Sequence, residues 1–232
     1  MDERLFQAVG GEEAYVVGGA VRDELLGRPV VDVDVACPEP EAAARSYASL
    51  AGGAVFPLSD RHGAWRVAFR DGRTVDFTPL PDGIEADLET RDFTINAIAL
   101  PLSGGDPVDP LGGRGDLEAR VLRAVSPQIF ADDPIRLLRA ARLEDELGMR
   151  LDEETERLAR AHAELAASPA GERILGELAR LSLAGFRRLD DLGLLAPLGG
   201  SRDRLERAEG IETPGFALVC AFGSSLDVYP IS

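Results

Sequence analysis

Apolar positions in the first half of the chain fall in short runs broken by glycine, a pattern of strands and tight turns rather than long helices. Tyr15–Val17 is one such run; Gly18-Gly19 follows it, then a short helical stretch and a second apolar run ending at Ala36. This reads as strand, glycine turn, helix, strand. The alanine-rich stretch from Pro38 to Leu50 predicts a surface helix. Ala54–Leu58, Ala64–Phe69 and Arg73–Phe77 predict three more strands, and Asp71-Gly72 between the last two is a hairpin signal. Leu88–Leu100 gathers polar residues ahead of an apolar strand, and Val108–Val125 reads as turns, a short helix and a strand at Val121–Ala124.

From residue 126 onward the pattern is helical. Phe130–Met149 predicts one helix, with Asp132 or Asp133 as cap and Pro134 in its first turn. Asp152–Ala166 and Gly171–Leu181 predict amphipathic helices, and Gly199-Gly200 and Thr213-Pro214 punctuate what remains. The fold class is α+β, with the β-rich part over residues 1–125 and helices after it.

Composition narrows the setting. With 232 residues and 45% apolar content the chain is globular and long enough for one large domain or two small ones. Cys37 and Cys220 lack metal spacing and are too few for a disulfide scaffold, so a reduced, cytoplasmic location is expected. The opening MDERLFQAVGG does not read as a signal peptide, and no apolar stretch is long enough to cross a membrane. Net charge is −16, and every one of the 25 basic residues is arginine. A nucleic-acid surface on such a chain has to be a local arginine patch on an acidic body.

The chemistry concentrates at Asp32 and Asp34, which share one face of their strand because side chains two apart point the same way. Neighbouring carboxylates repel unless a cation or proton lies between them. The flanking Val30, Val31, Val33 and Val35 predict a mostly buried strand, which favours a pair of divalent metals over simple solvation. Both acids at a solvated strand end is the plain alternative. Upstream, Gly18 and Gly19 open a helix whose backbone N–H groups suit phosphate, and Arg22 lies one turn further on. Asp76 alternates with apolar neighbours on the predicted sheet, where it is a candidate third carboxylate or an ordinary strand residue.

The order Gly18-Gly19-x-Val21-Arg22-Asp23, a spacer, then Asp32-x-Asp34 resembles the head of the class II tRNA nucleotidyltransferase and bacterial poly(A) polymerase family. Arg91-Asp92-Phe93-Thr94-x-Asn96-Ala97 resembles that family's second motif, which in relatives contacts sugar and triphosphate. Val108–Val125 resembles its linker from head to neck. Asp132-Asp133-x-x-Arg136 resembles the base-selecting motif Glu-Asp-x-x-Arg, with Asp132 in place of the Glu, and Arg139 and Arg142 match positions that meet the nucleotide. Gly171-Glu172-Arg173 resembles the start of the body domain, and Leu183–Leu195 its next helix. Likeness ends near residue 195.

The resemblance implies a nucleotidyltransferase head with a mixed sheet and flanking helices over 1–125, a helical neck over 126–170 and a partial helical body over 171–232. It also implies two Mg²⁺ ions on Asp32 and Asp34, with CTP, ATP and a tRNA 3′ end as partners. Asp133 and Arg136 would read the base. A carboxylate accepts from the exocyclic amine of cytosine or adenine while a guanidinium donates to the adjacent ring nitrogen, an edge that uracil and guanine reverse. From the helix alone, a cap with a solvated arginine stripe serves as well. Residues 77–90, between Asp76 and Arg91, are short where CCA-adding relatives carry a longer loop, which favours a CC-adding specialist. His62-Gly63 resembles the CCA-adding enzymes more than the poly(A) polymerases, although a turn residue is an equal reading of His62. The same motifs also fit a poly(A) polymerase, or a homologue that binds nucleotide without transferring it.

Overall fold

The computed structural model describes residues 2–11, 13–59, 63–206 and 216–222. The chain forms two compact units, Met1–Glu118 and Ala119–Ser232. His62 and the Thr213-Pro214 pair lie outside the described residues.

The first unit is built on a six-stranded mixed sheet. Its elements are α1 (Glu3–Ala8), β1 (Tyr15–Val17), α2 (Gly19–Leu25), β2 (Asp32–Cys37), α3 (Pro40–Ala51), β3 (Ala54–Ser59), β4 (Ala64–Ala68), β5 (Thr74–Pro79), α4 (Ile84–Glu89), β6 (Ala99–Pro101) and α5 (Gly113–Ala119). Spatial order is β3-β4-β5-β2-β1-β6. Among these described strands only β2 and β5 pair in parallel; the other neighbours are antiparallel. The β4–β5 hairpin turns through Gly72 at φ +89°, a conformation glycine adopts without steric cost, and its ends close through Phe69 N–H to Arg73 O at 3.0 Å.

One face of the sheet supports the core. Val35 and Phe77, register partners on β2 and β5, are fully buried. Helix α3 turns Ala43, Ala44, Tyr47 and Ala48 inward, and the Tyr47 ring meets Phe77 at 5.9 Å and Phe69 edge-on at 6.0 Å. Its hydroxyl donates to Asp2, whose carboxylate also caps α1 through Arg4 N–H. The valines ahead of β2 depart from expectation. Val30 and Val31 are exposed, the strand begins at Asp32, and full burial is reached only from Val35. Their apolar run precedes the point where neighbouring strands begin to cover β2.

Among the described residues the second unit is helical apart from one short parallel pair, β7 (Val121–Leu122) with β8 (Arg150–Leu151). Strand β7 lies in the second compact unit. The expected Phe130–Met149 helix is two helices, α6 (Ile129–Asp132) and α7 (Ile135–Leu147). Asp133 between them is extended at φ −145°, ψ 96°. The physical reason is Pro134, whose ring disfavours the α conformation in the preceding residue. Asp133 therefore ends one helix and does not cap the next with its side chain.

Helix α7 buries Leu137, Leu138, Ala140, Ala141 and Leu143 completely. Helices α9 (Gly171–Leu178) and α10 (Leu183–Asp191) pack against it, and α8 (Glu153–Ala161), α11 (Arg202–Glu206) and α12 (Phe216–Phe222) belong to the same unit. Glu144 on α7 is 1% exposed, and its carboxylate accepts from Arg188 Nε at 2.6 Å and from Leu151 N–H at 2.8 Å. A buried charge stripped of its partner is costly. Arg188→Met is expected to lower stability by about 3 kcal/mol, read as a lower urea midpoint; Glu144→Gln with Arg188→Met should recover part of the loss.

Candidate active site

Strand register brings the head's charged residues into one row. Asp34 on β2 pairs with Asp76 on β5, and Asp76 pairs with Arg66 on β4. Asp32, two residues before Asp34, shares its face and accepts from Thr74 Oγ1 at 2.8 Å. Asp32 is exposed and Asp34 half-buried. The two carboxylates therefore meet solvent at one end of the strand, on the face opposite Val33 and Val35.

The glycine turn lies directly against this pair. Gly18 has φ +73°, a backbone conformation that L side chains rarely adopt. A Cβ built on it would lie 2.9 Å from Arg91 Nη1 and 3.2 Å from Asp34 Oδ2. Only a residue without a side chain lets a carboxylate and a guanidinium close on the turn from two sides. Arg91 is aimed there by Asp87, which accepts from its Nε at 3.0 Å and its Nη2 at 2.8 Å.

Behind the turn runs a chain of hydrogen bonds. Arg22 Nη1 donates to Asn96 Oδ1 at 2.7 Å, and Asn96 Nδ2 donates to Asp92 Oδ1 at 2.9 Å. Asp92 also accepts from Phe93 N–H. Asp92 and Asn96 are 6% and 3% exposed, so both act from the interior. A buried network with every member satisfied is rigid, and here it fixes the Arg22 side chain, which also pairs with Asp23 at 2.9 Å. Gly19 sits under the same guanidinium: its Cβ would lie 3.4 Å from Arg22 Nη2.

Asp76 lies on the expected face, but both its oxygens are engaged. Arg66 Nε and Nη2 donate to them at 2.7 and 2.6 Å. The Arg66 guanidinium is held above its ordinary pKa chiefly by that hydrogen-bonded carboxylate, with Asp32 and Asp34 adding to the field. Among the described residues no group of three His, Cys, Asp or Glu side chains is placed to hold one metal ion. Asp76, the candidate third carboxylate, lies in register with Asp34 and is ion-paired to Arg66. The sequence motifs do not single out Arg66. Its signal is the hairpin, because a turn at Asp71-Gly72 sets Arg66 opposite Asp76.

The second unit holds the remaining candidates. Asp133 is gripped by Arg173 of α9, with contacts of 3.1 and 2.8 Å. Arg136 N–H closes the local turn on Asp133 O at 3.0 Å, and the Arg136 side chain is half-buried. Arg139 stands 3.9 Å from Glu177, also on α9. Arg142 differs from the solvated stripe that spacing suggests. It is 5% exposed and bonded to Glu177 at 2.5 Å and Glu146 at 2.6 Å, an interior pairing that ties α7 to α9.

A family model described as the poly A polymerase head domain matches residues 14–80 and 65–123. Over 213 residues the chain is 44% identical to the A-adding tRNA nucleotidyltransferase of Deinococcus radiodurans, a match covering 88% of this chain and 48% of the relative. It is 46% identical over 175 residues to the CC-adding tRNA nucleotidyltransferase of Geobacter sulfurreducens, covering 74% and 41%. The chain thus spans less than half the length of these curated relatives. Among solved structures, a tRNA nucleotidyltransferase complexed with a primer tRNA and an incoming ATP analog superposes with a TM-score of 0.81 at 26% identity. That match covers 97% of this chain and 75% of the other.

Gly18→Ala is expected to cost about 1–3 kcal/mol from its backbone conformation alone, measured by urea denaturation. A crystal structure of the variant should show Arg91 displaced from the turn, because the new Cβ takes its place.

Proposed function

This chain belongs to the class II tRNA nucleotidyltransferase and poly(A) polymerase family, and on that premise we propose that it adds C, A or both to the 3′ end of a tRNA. CTP and ATP are the donors. The reaction forms a bond from the 3′ oxygen to the α-phosphorus and breaks the bond to the departing pyrophosphate. The observation that carries this reading is the closure of Asp34 and Arg91 on Gly18, which puts one member of the carboxylate pair and a cationic group on either side of a side-chain-free turn.

Family membership implies a divalent metal, and the residues here fit one. Two same-face carboxylates supply hard oxygen ligands, and the absent Cβ of Gly18 lets the turn approach Asp34 closely. Asp32 and Asp34 would hold the ions, which we take to be Mg²⁺. Such ions, when bound, ease deprotonation of the attacking hydroxyl and offset charge on the leaving group. The remaining work belongs to the protein's own side chains. Arg91, held by Asp87, presents a guanidinium for triphosphate oxygens, and Arg22 is braced for the same task through Asn96 and Asp92. Gly18 and Gly19 keep the backbone open to close approach. Catalysis of this kind is positioning and charge neutralisation.

Base choice is assigned to Asp133 and Arg136, with Arg139 near the nucleotide. The Asp133 carboxylate accepts the exocyclic amine of cytosine or adenine, and Arg136 donates to the ring nitrogen beside it. Arg173 already orients that carboxylate. Arg142, enclosed by Glu146 and Glu177, supports these residues by anchoring α7 rather than through an open guanidinium. A CC-adding specialist is the second reading. The segment between Asp76 and Arg91 has no length for a mobile loop, since most of it is the end of β5 and helix α4. Among the described residues no helix is long and apolar enough to cross a membrane.

Asp32→Asn and Asp34→Asn are each expected to lower incorporation from labelled CTP at least about 10³-fold, with melting temperature unchanged or raised because a repulsion is removed. Retained activity in either variant would refute the assignment. Asp133→Asn should raise UTP relative to CTP incorporation by about 10- to 100-fold, measured by competition. Each labelled NTP, offered singly with Mg²⁺ to tRNAs lacking A, CA or CCA, separates the readings. Addition of C alone identifies the CC specialist.

A further inference from the structure

We propose that Arg66 is a positioning residue that sets how strongly Asp32 and Asp34 attract a divalent cation, acting through Asp76. The inference rests on the reading of Asp32 and Asp34 as the metal-holding pair. Three carboxylates occupy one face of β2 and β5, with Asp34 and Asp76 directly opposite in parallel register. Like charges so placed destabilise a sheet. On the far side of Asp76 stands Arg66, across an antiparallel pair, with both guanidinium contacts under 2.8 Å. Trp65 and Val67, on either side of Arg66 along β4, point to the opposite face, so strand alternation holds the guanidinium in the carboxylate row. Side-chain exposure is 33% for Arg66 and 13% for Asp76, so the pair is only partly screened by solvent.

The consequence is electrostatic. Arg66 offsets the charge of Asp76 and keeps that carboxylate from competing for an ion held by Asp32 and Asp34. Removing Arg66 should tighten binding of a divalent cation, and removing Asp76 should weaken it, since each change alters the local charge by one unit in opposite senses. At a separation of several ångströms in a partly solvated site, one unit of charge changes divalent affinity by about five- to thirty-fold.

The test titrates Mn²⁺ alone, without nucleotide or RNA, into the full chain and counts free ion by electron paramagnetic resonance. Wild type is compared with Arg66→Gln, Arg66→Lys, Asp76→Asn, the Arg66→Gln/Asp76→Asn double variant and Asp34→Asn, each checked for folding by a thermal melt. Arg66→Gln is expected to bind Mn²⁺ about five- to thirty-fold more tightly and Asp76→Asn more weakly by a similar factor. Arg66→Lys and the double variant should return close to wild type. If wild type binds Mn²⁺ through Asp34 but the Arg66 and Asp76 variants shift affinity in the same direction or not at all, this inference is overturned and the metal reading stands. Equal binding by wild type and Asp34→Asn would overturn both. A purely structural pair predicts lower melting temperatures in both single variants and no opposite movement of metal affinity.

Discussion

Like-charge repulsion across the parallel β2–β5 pair is the constraint around which the head is arranged. Parallel register sets Asp34 beside Asp76, and strand periodicity adds Asp32 on the same face. Left alone, three carboxylates so close would oppose the sheet that carries them. The fold answers with geometry. Arg66 closes on Asp76 from the next strand, Arg91 approaches Asp34 across a turn kept open by Gly18, and Asp32 lies exposed beside Thr74. The sheet thus keeps two carboxylates on its open face while each of the three acids has a neighbour that offsets its charge or hydrogen-bonds to it.

Arginine carries most of this electrostatic work, and its chemistry explains why a chain without lysine is at no disadvantage. A guanidinium donates through a planar fork that matches a carboxylate and keeps its charge when partly buried. Arg66 on Asp76, Arg173 on Asp133 and Arg188 between Glu144 and Glu156 use that fork or bridge two acids with it. Pairing of this kind also qualifies the meaning of the −16 net charge. Much of the acid excess near the candidate residues is met by a specific partner, so the charge around them is local and differs from the average over the chain.

Each unit keeps supporting residues behind its own candidates. Asp92, Asn96 and Arg22 form a buried relay that fixes one cationic side chain, while Asp87 aims the other. In the helical unit, Arg142 lies inside, and its bonds to Glu146 and Glu177 hold α7 against α9, from which Arg173 reaches Asp133. Residues that look alike in a motif thus divide into those that meet solvent and those that hold them.

The strand–turn–helix–strand opening, the Asp71-Gly72 hairpin, the shared face of Asp32 and Asp34 and the change to helices were all legible in the sequence. Each depends on interactions a few residues apart: side-chain period, the positive φ that glycine permits, the ring of proline. Even the break at Asp133 is written in Pro134, although the stretch reads as one helix from its pattern. Only the tertiary structure decided that Asp76 belongs to Arg66, that Val30 and Val31 stay exposed, and that Arg142 turns inward to Glu177. Those outcomes depend on which strand lies beside which, in what register, and on which helix covers which face. Such pairings join residues far apart in the chain, and local periodicity carries no record of them.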